Sequence, residues 1–427
     1  MHKKLNLNFD WYFTPEFKDC HLTDYDKFED FEVVNIPHTI YTSPYSNFNE
    51  RSFFKNACYK KEIKIKKEYE GKDINIIFEG VGHKSTIYVN DDFVLIHSGG
   101  YDEFKVNISE YLKYGQTNVI TVVVNASENP NIPPFGNFLD NLAYGGIYRE
   151  VYLEITDKEK IEDFFIRTPN VGESITAYCD ITVTYTPVEI VLTVYDEDKT
   201  LSVNKYNVNR EKETMDFDVK NKENWSPDNP KLYNINIKMF QEKKLLDEVN
   251  GRFGFREIKV DKDGFYLNGS KITLIGLNRH GSYPYLGLAA TKSMEYKDAD
   301  ILKTELGVNC VRSSYVPFSK SFLNACDEKG LLVIEEIPGW NHFGNEEFHK
   351  NTKQNIRSMI LRDRNHPSII MWSVRVSGAI DNFKLFSDTN EIAKSLDPTR
   401  LTFGAKSIKN GDIVEDVYGY NYYQEVD

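Results

Sequence analysis

Glu335 and Glu336 stand side by side at the end of the apolar run Leu331-Leu332-Val333-Ile334. Paired carboxylates are what acid–base and nucleophilic chemistry on a covalent bond recruits, provided that both reach one cavity in fixed geometry. A glutamate pair at a strand end is more ordinarily one structural acid and one solvated one. Asn390-Glu391 carries a further acid, but inside the helical pattern of residues 382–396, where a solvated helix face is the better reading. Asn278-Arg279-His280 follow another apolar run and bring amide, guanidinium and imidazole groups, which bond hydroxyls directionally. Trp340 and Trp372 offer flat aromatic faces, with ordinary core packing as the equal alternative. The five cysteines, Cys20, Cys58, Cys179, Cys310 and Cys326, are widely spread and form no CxxC pair. That excludes a disulfide framework and a structural zinc site and predicts reduced core thiols.

Elements must position these groups. Residues 28–155 carry short period-two segments rich in β-branched and aromatic residues, punctuated by Gly, Asn and Asp, the signature of an antiparallel sandwich. A second all-β stretch over 158–256 has the size of an immunoglobulin-like module, with a Pro-bounded turn at 225–230. After residue 257 strand-like and helical runs alternate, and six strands with no Gly-rich phosphate loop predict a (β/α) barrel. Residues 257–427 are fewer than the roughly 250 that a full eight-stranded barrel takes, so an incomplete one is expected. The predicted domains are 1–157, 158–256 and 257–427.

Composition narrows the partners. The net charge is −13, with no long Lys/Arg block, which leaves little attraction for phosphate backbones or anionic lipid. No apolar stretch has the length of a secretory core or a membrane span, so a soluble, cytoplasmic chain is expected. Aromatic content of 14% supplies apolar surface for real cores. An incomplete barrel with uncovered apolar strands favours self-association.

Ten stretches then carry a resemblance. They are IPHT (36–39), YVND with HSGGYDEF (88–104), YGGIYREV (144–151), WSPDNPKLY (225–233), FGFREI (253–258), LIGLNRHG (274–281), NCVRSSYVP (309–317), EEIPGW (335–340), RDRNHPSIIMWSVR (362–375) and SLDPTR (395–400). In this order they resemble family 2 of the glycoside hydrolases, the β-galactosidase and β-glucuronidase family. The resemblance implies a jelly-roll sugar-binding domain, an immunoglobulin-like domain and a barrel bearing the active site at its strand carboxyl ends. It implies retaining cleavage of β-linked sugars by two carboxylates about 5–5.5 Å apart. It also implies sugar contacts from Asp140, Asn278, Arg279, His280, Trp340, His342, Trp372, Asn421 and Tyr422, and makes Arg312 the strand-end arginine that orients a catalytic carboxylate.

Departures from the family pattern set the functional expectation. Relatives reading Val-Arg-Ile-Asn-Glu-Ser place the acid/base glutamate on Gly378, after Ser377, and glycine has no proton to donate. The family's nucleophile follows a seventh strand, and this sequence reaches Asp427 just past the sixth. Both catalytic carboxylates are therefore expected to be missing. Replacement by Glu335, Glu336 or Asp381 would need positioning within about 0.5 Å. Arg312 would lose its natural partner. Tyr315 and Val316 precede Pro317 where the family has His-Tyr, and Gly281 stands where it has an acid. Trp340-Asn341-His342 replace the carboxylate and histidine of metal-dependent relatives, so neither a magnesium site nor a cofactor is predicted. The expected protein is a β-galactosidase-like glycosidase by descent without activity. The alternatives are a carbohydrate-binding or interaction protein and a fragment of an active β-galactosidase or β-glucuronidase.

Overall fold

The computed structural model describes residues 2–22, 31–44, 49–135, 144–168, 176–376, 382–406 and 412–420. Asp140, Ser377, Gly378, Asp381, Asn421 and Tyr422 lie outside the described residues.

Alternating segments at the start of the chain pair as antiparallel sheets. A four-stranded sheet (Lys3–Asn6, Val151–Thr156, Asp73–Phe78, Phe104–Asn107) faces a six-stranded one built around Asn56–Lys64, Thr117–Asn125 and Lys84–Val89. Their inward side chains, among them Trp11, Tyr59, Phe78, Ile120 and Val122, form one buried core. This is the jelly-roll sandwich. A three-stranded sheet (Ile161–Arg167, Thr176–Val183, Lys212–Asp218) and a four-stranded one (Lys199–Val208, Val188–Asp196, Tyr233–Gln241, Lys244–Phe253) make the immunoglobulin-like unit around Ile190, Leu192, Ile235 and Ile237. The predicted turn at 225–230 ties this unit to the barrel. Trp225 is fully buried and its indole N–H donates to the Asp327 carbonyl at 2.8 Å.

The sequence pattern gave no sign of the small three-stranded sheet (Ile258–Asp261, Gly264–Leu267, Ser270–Ile272) that precedes the barrel. Barrel strands then run parallel in sequence order: β1 (Gly276–Asn278), β2 (Cys310–Arg312), β3 (Leu332–Glu336), β4 (Ile369–Ser373), β5 (Leu401–Lys406) and β6 (Val417–Tyr420). Helices α1 (Lys292–Asp300), α2 (Lys320–Lys329), α3 (Glu346–Asp363) and α4 (Phe383–Leu396) cover the outside, and α1 runs on into a π-helical turn, Ile301–Glu305. Among the described residues the sheet holds six strands, an arc of a TIM-type barrel. Side-chain caps start α2, α3 and α4. Ser319 caps α2 by accepting from the Phe322 N–H, and Gly330 ends it in the left-handed region at φ 73°. Among the described residues no helix is long and apolar enough to cross a membrane.

Jelly roll and barrel are joined by polar contacts. Lys320 at the start of α2 pairs with Glu103, and Arg149 donates to the Pro317 carbonyl at 2.6 Å. Burial opposes the charge on Lys320, but Glu103, Tyr152 and Glu79 outweigh it and hold the ammonium protonated. Four of the cysteines are buried free thiols, as expected, whereas Cys20 is exposed at a short 3-10 turn and is not a core residue.

Candidate active-site cleft at the barrel mouth

Strand parity divides the two glutamates that end β3. Adjacent side chains on a strand point to opposite faces, and Glu335 and Glu336, both fully buried, go to different places. Glu335 turns toward the helices. Its Oε1 accepts from the Phe318 N–H at 3.1 Å and lies 3.5 Å from the Arg362 guanidinium, which also holds Asp363. Burial, with the Asp363 charge beside it, raises the Glu335 carboxyl well above the ordinary carboxylate range.

Glu336 turns to the other face of the sheet, where it gathers the strand ends. Its Oε2 accepts from Arg312 Nε at 2.9 Å and Nη2 at 2.6 Å and from the Ser373 hydroxyl at 2.8 Å. Its Oε1 accepts from the Tyr315 N–H at 2.8 Å, and its own N–H donates to Ser313 Oγ at 2.8 Å. One carboxylate thus binds the ends of β2, β3 and β4 together. The expectation that Arg312 has lost its partner is corrected: the guanidinium is paired with Glu336, and Asn278 Oδ1 lies 3.5 Å from its Nη1.

Beyond β2 the backbone enters the left-handed region at two non-glycine residues, Ser314 (φ 37°) and Tyr315 (φ 72°). Such residues cost of order 1–3 kcal/mol each and persist only when their surroundings hold them. The Glu336 carboxylate on the Tyr315 N–H is one such hold. The second is aromatic, for the Tyr315 ring lies 4.4 Å from Trp340, edge to face, and 5.4 Å from His280. Tyr315, noted in the sequence only as a departure from the family, is the centre of this wall.

A second buried pair lies farther along. Arg375 Nε donates to Glu415 Oε1 at 2.7 Å and Nη2 to Oε2 at 3.2 Å, with both side chains almost wholly enclosed. Gly404 in β5 makes room for it: a Cβ there would come within 2.6 Å of Glu415 Oε1. Position 404 therefore accepts nothing larger without moving the pair. Periodicity gave no signal for Glu415.

The structure brings Asn278, His280, Arg312 and Trp340 together through Glu336 and Tyr315 and separates three other predicted contacts. Arg279 is buried between α1 and the sheet, where its Nη2 meets Glu295 Oε2 and Asp298 Oδ2, each at 2.7 Å. Its guanidinium also lies 4.0 Å from the Phe322 ring. It is a structural cation, committed to partners whose three-residue spacing on α1 placed both acids on one face. Trp372 is fully buried on the helix side, donating its indole N–H to Asp397 Oδ2 at 2.9 Å. It belongs to the core between β4 and α4 and is closed to a sugar. His342 packs between Phe135 and Phe348, with Nε2 3.1 Å from the Pro130 carbonyl, at the junction with the jelly roll. Asn390, expected on a solvated helix face, is buried and donates to the Val414 carbonyl at 2.8 Å, while Glu391 is exposed. Among the described residues no group of three or more His, Cys, Asp or Glu side chains is arranged to hold a metal ion.

Comparison with known proteins follows the same three-part division. The description "Glycosyl hydrolases family 2, sugar binding domain" matches residues 21–157, "Glycosyl hydrolases family 2" matches 159–256, and "Glycosyl hydrolases family 2, TIM barrel domain" matches 258–426. A β-galactosidase of Thermoanaerobacter pseudethanolicus is 41% identical across 98% of this chain and 57% of its own length. One from Thermoanaerobacterium thermosulfurigenes is 40% identical across 99% of this chain and 60% of its own. A crystal structure of a Bacteroides uniformis β-glucuronidase superposes with a TM-score of 0.88 at 26% identity, covering 99% of this chain and 55% of that one. The chain thus spans less than two thirds of the length of these relatives. Two sandwiches and a parallel barrel arc, with consecutive matches to the domains of one family over nearly every residue, place this chain in family 2 of the glycosyl hydrolases.

Proposed function

We propose that this chain binds a β-linked sugar at the carboxyl ends of its barrel strands and does not hydrolyse it. The observation that carries the reading is the knot of Arg312, Ser373 and the Tyr315 N–H on the Glu336 carboxylate, which keeps a strand-end wall in place. Asn278, His280 and Trp340 surround this knot as directional and stacking groups for hydroxyls and a pyranose face. The same knot commits both Glu336 oxygens to Arg312, Ser373 and the Tyr315 N–H, so this side chain is spent on holding the strand ends. With Gly378 at the position of the family's acid/base, general acid catalysis worth roughly 10²–10⁴-fold is lost. Asp140, Asn421 and Tyr422 belong to the same reading as further sugar contacts. The relatives named above support β-galactosides and β-glucuronides as the sugar class.

Calorimetry with galactose, glucuronate and short β-linked oligosaccharides tests the reading. Heat at millimolar ligand that disappears in Arg312→Met supports it, and the absence of heat for every sugar overturns it. A second reading, that these residues are part of an active glycosidase, is favoured by one observation: the two β-galactosidases contain long portions that this chain does not match. Assaying a chain that carries those portions with Gly378 unchanged distinguishes the two: release of nitrophenolate from a nitrophenyl β-galactoside favours the second reading, and none favours the first. Self-association at the β1 edge, where Leu277 and the preceding Ile275 are 49% and 62% exposed, is also part of the proposal, and sedimentation velocity tests it.

A further inference from the structure

A second cleft lies on the outer surface of the barrel, between α3 and α4, with a volume of about 830 Å³. Its lining runs against the composition of the chain. In a protein of net charge −13, four cations (Lys350, Lys353, Arg357 and Lys384) meet there against only Glu346 and Asp388. Lys353 and Asp388 pair with each other across the cleft. Lys350, Arg357 and Lys384 are exposed and make no ion pair or hydrogen bond among the described residues.

Spacing tells what could satisfy them. Lys350 and Arg357 are seven residues apart on one face of α3, about 10 Å along the axis at 1.5 Å per residue. A single small anion cannot meet both, so the fitting ligand is extended and carries its charges at intervals. Between the cations stand groups suited to hydroxyls. Gln354 donates to Ser358 Oγ at 3.1 Å, and Asn382 caps α4 through its side-chain oxygen. These bonds leave the Gln354 oxygen and the Asn382 amide N–H groups to face a ligand.

We propose that this cleft binds an acidic oligosaccharide, a chain of sugars bearing carboxylates at intervals, independently of the barrel mouth. The cations take the carboxylates and the amide groups take the hydroxyls. Single-stranded nucleic acid is the poorer fit, because no Phe, Tyr or Trp lines the cleft to serve as a stacking platform for bases. An acidic peptide is also poorer, since Leu385 is the one large apolar side chain in the lining and peptide grooves depend on apolar anchors or an open sheet edge.

Titration calorimetry on the full chain provides the test, with tetragalacturonate as probe and maltotetraose, hexaglutamate and a twelve-nucleotide single strand as comparisons. The expected result is tetragalacturonate binding that weakens at least tenfold in the triple variant Lys350→Ser/Arg357→Ser/Lys384→Ser and falls as salt rises from about 50 to 300 mM. Because these three side chains are exposed, the variant is expected to fold, and circular dichroism checks this. Trp340→Ala, at the mouth, is expected to leave tetragalacturonate binding unchanged, which separates this site from the one proposed above. Equal affinity in the triple variant, loss of binding in Trp340→Ala, no binding at millimolar probe, or equal or tighter binding of any comparison overturns the proposal.

Discussion

The two faces of the barrel sheet use the same residue types for opposite purposes. On the helix side, Glu335, Arg362 and Asp363 form a sealed ionic cluster, and Trp372 is locked by Asp397. At the mouth, Glu336 and Arg312 form an ion pair that gathers three strand ends, and Trp340 is half-buried beside Tyr315. Glutamate, arginine and tryptophan occur on both faces, so residue type does not distinguish structure from site. Parity along the strand does, because β3 and β4 run in register with Glu335 opposite Trp372 and Glu336 opposite Ser373.

That contrast can be broken from the structural face first. Arg362→Ala leaves Asp363 and Glu335 buried without their cation and is expected to cost about 3–5 kcal/mol in urea unfolding. Sugar affinity of the folded fraction should not change. If that affinity collapses, the two faces are not separate.

Acid is expected to have the next largest effect, and it extends the contrast to the jelly roll. Burial lowers His83 to about 4 from an ordinary 6.5, and its Nε2 has no partner among the described residues. The folded state favours the neutral ring, so this stability is fully present above pH 6.5 and is lost as pH falls toward 4, on the order of 3 kcal/mol. His38, lowered to about 4 by burial, acts in the same window. Urea midpoints across pH 4 to 7 check this, and His83→Phe should flatten the profile.

Two tryptophan substitutions sharpen the comparison at smaller cost. Trp372→Phe removes the bond to Asp397 and should destabilise by about 1–2 kcal/mol with sugar affinity unchanged. Trp340→Phe should change stability by no more than about 0.5 kcal/mol and weaken sugar binding several-fold. Reversal of these two outcomes in paired unfolding and binding experiments would exchange the roles assigned to the faces.

Much of the architecture was legible because periodicity is local. The six barrel strands, the two sandwiches and the helices between strands all followed from alternation and helical spacing. Arg312 was legible as a strand-end arginine. Its partner was not, because Glu336 lies 24 residues away and only the parallel register of β2 and β3 brings them together. The placements of Trp372 and Arg279 needed the same information, namely which face each strand end presents. Tyr315 escaped because its role depends on a backbone conformation at 314–315 that non-glycine residues rarely adopt and that no local pattern announces.

The central claim is that the mouth retains a sugar-binding wall while the proton donor is gone. It is tested most directly by the release of nitrophenolate from nitrophenyl β-galactoside and β-glucuronide by the purified 427-residue chain. The account predicts no release above the buffer rate. Turnover of roughly 1–10³ s⁻¹, the range of ordinary enzymes, would contradict it.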